Sequence, residues 1–183
     1  MKKTIAMAIA ISLFFACSNP KTEDKAATTD SAVAAPAKPL PTEIGAEKYV
    51  DIGKAGNASL SSGNIDAWMN SFADNAVYVW NNGDSLAGKA AITAYWKKRR
   101  GDVIDSISFS KDIWLSVKVN QPQQPEHLAG NWVLGWYLTQ AKYKTGKRMA
   151  QWIHTAMHFD ANDKVDHVVQ FLDRAPINAA TKK

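Results

Sequence analysis

The stretch "LSSGNIDAWMNSFADNAVYVW", residues 60–80, decides the fold, because a helix ends in it, a short second helix follows and a strand leads out. Gly63 is typical of the left-handed residue that ends a helix, and the Asn64 side chain can cap the next helix. "AVYVW" predicts a strand that stops at Trp80. The second helix is predicted from apolar residues at i, i+3, i+4 and i+7: Ile65, Trp68, Met69 and Phe72.

One further helix is predicted on each side of this stretch. The upstream helix should begin with Thr42 as its cap. Gly53 and Gly56 within it indicate close contact with another element, since glycine otherwise weakens a helix. The downstream helix should run from about Gly88 to Arg100. Its basic end, "KKRRG", is best explained by cations that complement the helix dipole, and a phosphate or anionic-lipid site is the alternative.

After Gly101 the sequence consists of alternating segments rich in β-branched residues, which predict strands. A two-residue turn at Ala161–Asn162 would join the last two strands and pair Ala156 with His167. Three helices followed by antiparallel strands, without alternation of strand and helix, form an α+β pattern. The predicted strand segments are "SISFSKDIWLSVKVN", "NWVLGWYLTQAKYK", "RMAQWIHTAMHF" and "KVDHVVQFLD".

Residues 1–16 are predicted to form a lipoprotein signal peptide. "MKK" supplies a positive start, and "TIAMAIAISLFFA" is apolar but short for a membrane span. Cys17 is the only cysteine, and "LFFAC" resembles a bacterial lipobox in which this cysteine is acylated, although Phe14 stands where leucine is usual. An ordinary signal peptide followed by an unrelated cysteine is the alternative. Acylation would anchor the chain to a membrane of the bacterial cell envelope, on the periplasmic side or in the outer membrane.

The composition limits the possible functions of the rest of the chain. Residues 17–41 are predicted to be a disordered tether, because they are rich in proline and alanine and contain no aromatic residue. The formal charge of +5 falls to about +3 without Lys2 and Lys3, which is too mild to predict nucleic-acid binding. The sequence contains no Gly-x-Ser-x-Gly and no phosphate-binding loop, and we expect neither a cofactor nor a metal.

The order and spacing of these motifs resemble the nuclear transport factor 2-like superfamily, which includes the SnoaL-like cyclases and the ketosteroid isomerases. The resemblance rests on "LSSGNIDAWMNSFADNAVYVW", "KAAITAYW" and "HFDANDKVDHVVQFLD", and it covers about residues 43–174. It implies a cystatin-like α+β barrel, in which a cone-shaped, curved antiparallel sheet wraps around three N-terminal helices. It further implies a cavity for small apolar molecules and dimerisation through the outer face of the sheet. We expect a SnoaL-like domain at residues 42–176 and a frayed tail at 177–183.

The resemblance also implies that the catalytic groups of the isomerases have been lost. Their general base, a carboxylate at the end of the strand after "FADDA", falls on Trp80 here. Their helical tyrosine falls near Gly56, and their second acid falls on Thr155. A tryptophan cannot take a proton from carbon, so we expect Trp80 to be the wall of a pocket.

The pocket is expected to bind a small apolar ligand or to contribute to binding a partner protein. Both faces of the strand at residues 131–144 are apolar, and the bulkier face, which contains Trp132 and Trp136, is expected to point inward. The alternative is that the tryptophans fill the cone and leave no pocket. The predicted ligand-binding residues are Trp68, Phe72, Trp80, Trp136, Thr155, Met157 and Gln170.

The opposite face of the last two strands is expected to form a homodimer, because it is too apolar to remain exposed. It contains three histidines that could conceivably hold zinc, although we expect no metal there. Two functions therefore remain open: a binding domain without catalysis, and a cyclase, isomerase or hydratase that uses relocated groups such as Asp166, His167 or Tyr78. The residues predicted for the dimer face are Trp152, His154, His158, His167 and Val169.

Overall fold

The computed structural model describes residues 38–125 and 127–182. Cys17, the predicted signal peptide and the tether up to residue 37 lie outside the described residues, so the predictions about them stay predictions. Within the described ranges, no helix is both long and apolar enough to cross a membrane.

Four α-helices form in the described part of the chain, one more than the sequence predicted. Gly63 ends the first helix with a φ of 82°, and the Asn64 side chain accepts a hydrogen bond from the backbone N–H of Ala67. Thr42 does not cap a helix, because it begins a short strand that pairs with a later one. The helices are α1 (Lys48–Ser62), α2 (Ile65–Met69), α3 (Lys89–Lys98) and α4 (Arg174–Thr181), and a π-helical turn, Arg99–Val103, continues α3.

The strands form one curved, seven-stranded sheet with the order β1-β4-β5-β6-β7-β2-β3. The α+β class and the helix-packed sheet that the sequence predicted are confirmed. The sheet is mixed rather than antiparallel, because β2 pairs with β7 in parallel. The strands are β1 (Thr42–Ile44), β2 (Phe72–Trp80), β3 (Ser85–Ala87), β4 (Ile104–Val119), β5 (Gly130–Tyr143), β6 (Arg148–Phe159) and β7 (Val165–Phe171).

The predicted inner face of β5 is wrong, because Tyr137 points inward and Trp136 points outward. Tyr137 is buried and its hydroxyl contacts Thr155, whereas the Trp136 ring stacks on His154 at a centroid distance of 4.5 Å. The inner face also contains Gly135, whose missing side chain leaves room for the ring of Trp114. The inner positions of β5 are therefore Val133, Gly135, Tyr137 and Thr139.

Both helix glycines of α1 are sites of close contact, as the sequence predicted. A Cβ atom at Gly53 would lie 2.6 Å from Cζ3 of Trp114, and one at Gly56 would lie 2.8 Å from Nε1 of Trp68. The Trp114 ring thus lies between Gly53 of α1 and Gly135 of β5. Glycine at these positions lets α1 pack directly against large aromatic rings of its neighbours.

The turn between β6 and β7 is longer than the predicted two residues. Asp160 holds it open, because its carboxylate accepts hydrogen bonds from the backbone N–H groups of Asn162 (2.8 Å) and Lys164 (2.9 Å). As a result His158, and not Ala156, pairs with His167. Ala156, His158 and His167 nevertheless lie on one face of the sheet, because the observed register differs from the predicted one by two residues, which is an even number.

The C-terminal segment is a helix and not the predicted frayed tail from residue 177. The Asp173 side chain caps α4 by accepting a hydrogen bond from the N–H of Ala175. The Thr145 hydroxyl donates to the Ala180 carbonyl at 2.6 Å. Ile177 and Ala180 pack into a second hydrophobic cluster that includes Ile104, Tyr143 and Met149. Helix α4 therefore lies against one end of the sheet and contributes to the site described next.

Candidate functional site

A cavity of about 130 Å³ lies between α3, α4 and the inner face of the sheet. Helices α1 and α2 contribute to one side of it, and strands β2 and β4–β7 form most of the remaining wall. Most of the aromatic rings on its wall contact at least one other ring, so these side chains pack against one another. The aromatic lining residues include Trp68, Tyr78, Trp80, Tyr95, Trp96 and Tyr137.

Five of the seven side chains predicted for this site line the cavity: Trp68, Trp80, Thr155, Met157 and Gln170. Phe72 does not line it, because its ring packs in the core against Trp68 with 5.5 Å between the ring centroids. Trp136 does not line it either, because the inner face of β5 was chosen wrongly. Whether the five bind a ligand remains a prediction.

Trp80 forms a wall of the cavity. Its ring lies 4.8 Å from the ring of Tyr78 and 5.1 Å from that of Tyr95, measured between centroids. The side chain is 6% exposed. Its position at the end of β2 follows from the parallel pairing with β7, which places it beside Gln170.

A chain of neutral hydrogen bonds crosses the wall behind Trp80. The indole Nε1 of Trp80 donates to Oε1 of Gln170 at 3.2 Å. Nε2 of Gln170 donates to the Thr155 hydroxyl at 3.3 Å, and the Tyr137 hydroxyl lies 2.6 Å from the same oxygen. Two positions where the resemblance would place acids, Trp80 and Thr155, are thus connected through a glutamine. This network can orient a polar group, but none of its members is charged.

Three tyrosines of the cavity, Tyr78, Tyr137 and Tyr143, stay protonated at neutral pH. Burial raises the pKa of Tyr78 well above its usual value and also raises the pKa of Tyr137, with the Thr155 hydrogen bond opposing the rise at Tyr137. Burial likewise raises the pKa of Tyr143. Among the described residues that line the cavity, none is Asp, Glu or His. The tyrosine hydroxyls can donate hydrogen bonds there, but they cannot act as a base at neutral pH.

The relocated groups considered from the sequence do not meet in this cavity. Asp166 and His158 form a pair on the outer face, with Oδ1 and Nδ1 2.5 Å apart, and Nε2 of His158 lies 2.8 Å from the Ala129 carbonyl oxygen. His167 lies on the same face beside Trp132. Tyr78 alone of the three candidates lines the cavity. Within the described ranges, no three His, Cys, Asp or Glu residues come close enough to hold a metal.

Sequence analysis missed two arginines at the cavity, Arg99 and Arg174. Arg174 follows the last predicted strand, where no helix was predicted, and Arg99 belongs to the basic run that was explained by the helix dipole. The spacing of Trp96 and Arg99, three residues apart on one helix, is the signal that could have placed Arg99 beside the aromatic wall. Arg174 forms an ion pair with Asp84 at 2.9 Å, and its guanidinium lies 5.7 Å from the Trp80 ring centroid.

The outer face of the sheet carries large exposed apolar side chains. Trp152 is 53% exposed and Phe171 is 48% exposed. His154 lies between the rings of Trp136 and Phe171 and is stacked on both. This surface includes the five residues predicted for the dimer face, of which His158 is itself buried. Its partner, if any, remains a prediction.

The described domain has the nuclear transport factor 2-like fold. No protein-family model matches the chain, and no curated protein matches it. Among solved structures, it resembles a proposed polyketide cyclase from Xanthomonas campestris (13% identity, TM-score 0.59, 74% of this chain and 98% of that one). It is similar to an NTF2-like protein of unknown function from Burkholderia pseudomallei (8% identity, TM-score 0.59, 74% of this chain and 98% of that one). It is also similar to an LEH-like epoxide hydrolase from M. tuberculosis (12% identity, TM-score 0.52, 73% of this chain and 89% of that one).

Proposed function

We propose that this nuclear transport factor 2-like domain binds a small, mainly apolar molecule in its aromatic cavity, without acid–base catalysis. The observation that carries the proposal is the chemistry of the lining. Rings and aliphatic side chains form the walls, and neutral hydrogen-bonding groups such as Gln170 and Thr155 project among them. Apolar concave sites with a few convergent polar groups are the usual form of small-molecule sites.

The size of the cavity limits the ligand. An enclosed apolar cavity of roughly 150 Å³ holds a benzene molecule in an engineered protein, and the cavity here is close to that size, at about 130 Å³. A ligand with a single ring or a short chain therefore fits without rearrangement. A steroid would fit only if side chains at the cavity moved.

The alternative is an enzyme, and the names of some fold neighbours, polyketide cyclase and epoxide hydrolase, motivate it. Such chemistry would require an acid–base group beside the substrate. Asp166 and His167 lie on the outer face, and the raised pKa of Tyr78 suits a hydrogen-bond donor better than a base. The lining therefore favours binding over this kind of catalysis.

Native mass spectrometry of the purified full chain tests the proposal. We expect a small molecule that stays with the folded chain and is released when the same sample is denatured. Thermal melts with a panel of single-ring compounds provide the second measurement, because a ligand that binds only the folded state raises the melting temperature. If no adduct is retained and no compound raises the melting temperature, the binding proposal is wrong.

The setting of this domain is part of the proposal. Acylation of Cys17 would attach it to a bacterial envelope membrane through the tether. The exposed rings of Trp152 and Phe171 support a homodimer through the outer face, because they would contact water in a monomer. Both proposals have their own tests, which are given in the Discussion.

A further inference from the structure

Arg99 brings a positive charge to the cavity that no described carboxylate balances. The residue lines the cavity and is half-buried, and its guanidinium carbon lies 5.7 Å from the Tyr95 ring centroid. Within residues 38–125 and 127–182, no carboxylate lies within 4.0 Å of its nitrogen atoms, whereas Arg174 has Asp84 as its partner. The Arg99 charge also acts on the buried tyrosines, since it opposes the rise in the pKa of Tyr78 and Tyr143 that burial causes.

The neighbouring arginine shows that this placement is specific to Arg99. Arg100 is used in the structure of the domain, because its Nε donates to the Leu60 carbonyl at 3.0 Å and its Nη1 to the Ile104 carbonyl at 2.9 Å. It thereby satisfies a carbonyl group at the C-terminal end of α1 and one at the start of β4. The change from α-helix to π-helical turn occurs at Arg99, and such turns are frequent at functional sites.

Two buried donors at the same cavity also lack a partner. The indole Nε1 of Trp96 and the hydroxyl Oγ1 of Thr139 are buried and have no hydrogen-bond partner among the described residues. Trp96 precedes Arg99 by three residues, so the two side chains lie on the same side of the helix. Unpartnered buried donors are costly, and both belong to residues that line this cavity.

We propose that the ligand is a small aryl carboxylic acid, whose carboxylate pairs with Arg99 while its ring lies against the aromatic walls. This rests on the proposed binding function and names its ligand class. A guanidinium holds a carboxylate through two parallel hydrogen bonds, and it does so best where water is excluded. The cavity volume allows one ring beside that group.

The first test compares ligands of equal shape on the full chain by calorimetry. The probes are 3-phenylpropanoate, the neutral 3-phenylpropan-1-ol and the cationic 3-phenylpropylamine. We expect the acid to bind at least about tenfold more tightly than the alcohol, and the amine to bind most weakly. Equal binding of acid and alcohol would overturn the carboxylate proposal and leave the binding function standing. Failure of all three to bind, together with the absence of any retained molecule, would overturn both.

The second test assigns the preference to Arg99. Arg99→Gln should weaken binding of the acid about tenfold or more and leave binding of the alcohol unchanged. Lys98→Gln is the matched control, because it removes the same charge from an exposed neighbour that does not line the cavity, and it should change neither affinity. Arg99→Lys keeps the charge but not the planar guanidinium, so it should retain part of the preference for the acid over the alcohol. If Arg99→Gln has a lowered melting temperature, Arg99→Lys is used in its place. An unchanged preference for the acid in Arg99→Gln would overturn the proposal.

Discussion

Trp80 lies at the end of β2, at the position where the sequence resemblance would place the base of an isomerase. Its ring there is a surface against which other groups pack. Its ring is held between Tyr78 and Tyr95, and its indole N–H is bonded to Gln170. These three groups are neutral, and the Arg174 guanidinium lies 5.7 Å from the Trp80 ring centroid. A residue in this position determines the shape of the cavity.

Trp80→Ala should therefore enlarge the cavity and lower the stability of the domain. Truncation of a large buried aromatic side chain costs about 3–5 kcal/mol, since the contacts are lost and a void remains. A single-ring ligand that fills the void should restore part of the melting temperature. Thermal melts with and without small aromatic compounds measure both effects.

The matched control for this prediction is Trp136→Ala. Trp136 lies on the outer face and is only partly buried, so its truncation should cost less, and aromatic compounds should not restore the loss. If Trp80→Ala melts like the wild type, Trp80 does not form the wall described above. The alignment that assigns the lost base to this position would then be wrong as well.

At the scale of elements, β5 shows what the sequence could not decide. Both of its faces are apolar, so alternation alone cannot tell which one points inward. The decision depends on its pairing with β4, which places Trp114 against Gly135 and leaves no space for a side chain at position 135. Trp136 consequently lies outside the cavity. Together with Phe72, it is one of the two predicted cavity residues that do not line the cavity.

The elements that the sequence did predict are those with local signals. Gly63 and Asn64 marked the break between α1 and α2 correctly, because a left-handed residue and a side-chain cap act within a few residues. Helix α4 has a side-chain cap at Asp173 but lacks an apolar period, since only Ile177 and a few alanines of "RAPINAATKK" are apolar. It is held by contacts with distant residues, such as the hydrogen bond from Thr145 to Ala180. The same dependence on distant contacts hid Arg174 from the sequence analysis.

The packing of α1 against β4 gives a prediction at this scale. Gly53→Ala should destabilise the domain by about 1–3 kcal/mol, because the new Cβ would lie 2.6 Å from the Trp114 ring and force a shift. Gly101→Ala is the control, since a Cβ there meets nothing within 4 Å, and it should leave stability nearly unchanged. Urea denaturation of both variants measures the difference. Equal stability of the two would show that α1 does not approach Trp114 closely.

At the scale of the whole molecule, the predicted acylation of Cys17 decides where the domain works. Cys17→Ser removes the only thiol of the chain and should therefore prevent lipidation. We expect the wild type expressed in bacteria to partition into the detergent phase and the variant into the aqueous phase. A wild type that partitions into the aqueous phase would contradict the lipoprotein prediction.

The outer face of the sheet gives the reason to expect a second copy of the chain. Exposed apolar side chains extend from Ile113 and Leu115 on β4 to Trp152 on β6 and Phe171 on β7. Such a surface on a monomer would expose a large apolar patch to water. Trp152→Lys should therefore produce monomers, whereas Ala90→Lys on the exposed side of α3 should not.

The dimer should also weaken as the pH falls through about 6, because its predicted interface contains His167. Burial lowers the pKa of His167, and the neighbouring Asp166 carboxylate only partly opposes this effect. The pKa of His167 is already lowered in the single chain. Burial against a second copy would lower it further, so association would be favoured above the ordinary value of about 6.5 and would weaken as the pH falls below it. Sedimentation measures the strength of the dimer at two pH values. It uses the Cys17→Ser chain at micromolar concentration, at pH 7.5 and pH 5.5, which lie about one unit either side of the ordinary histidine pKa. A monomer at neutral pH would contradict the assembly, and a dimer of equal strength at both values would contradict the role of His167.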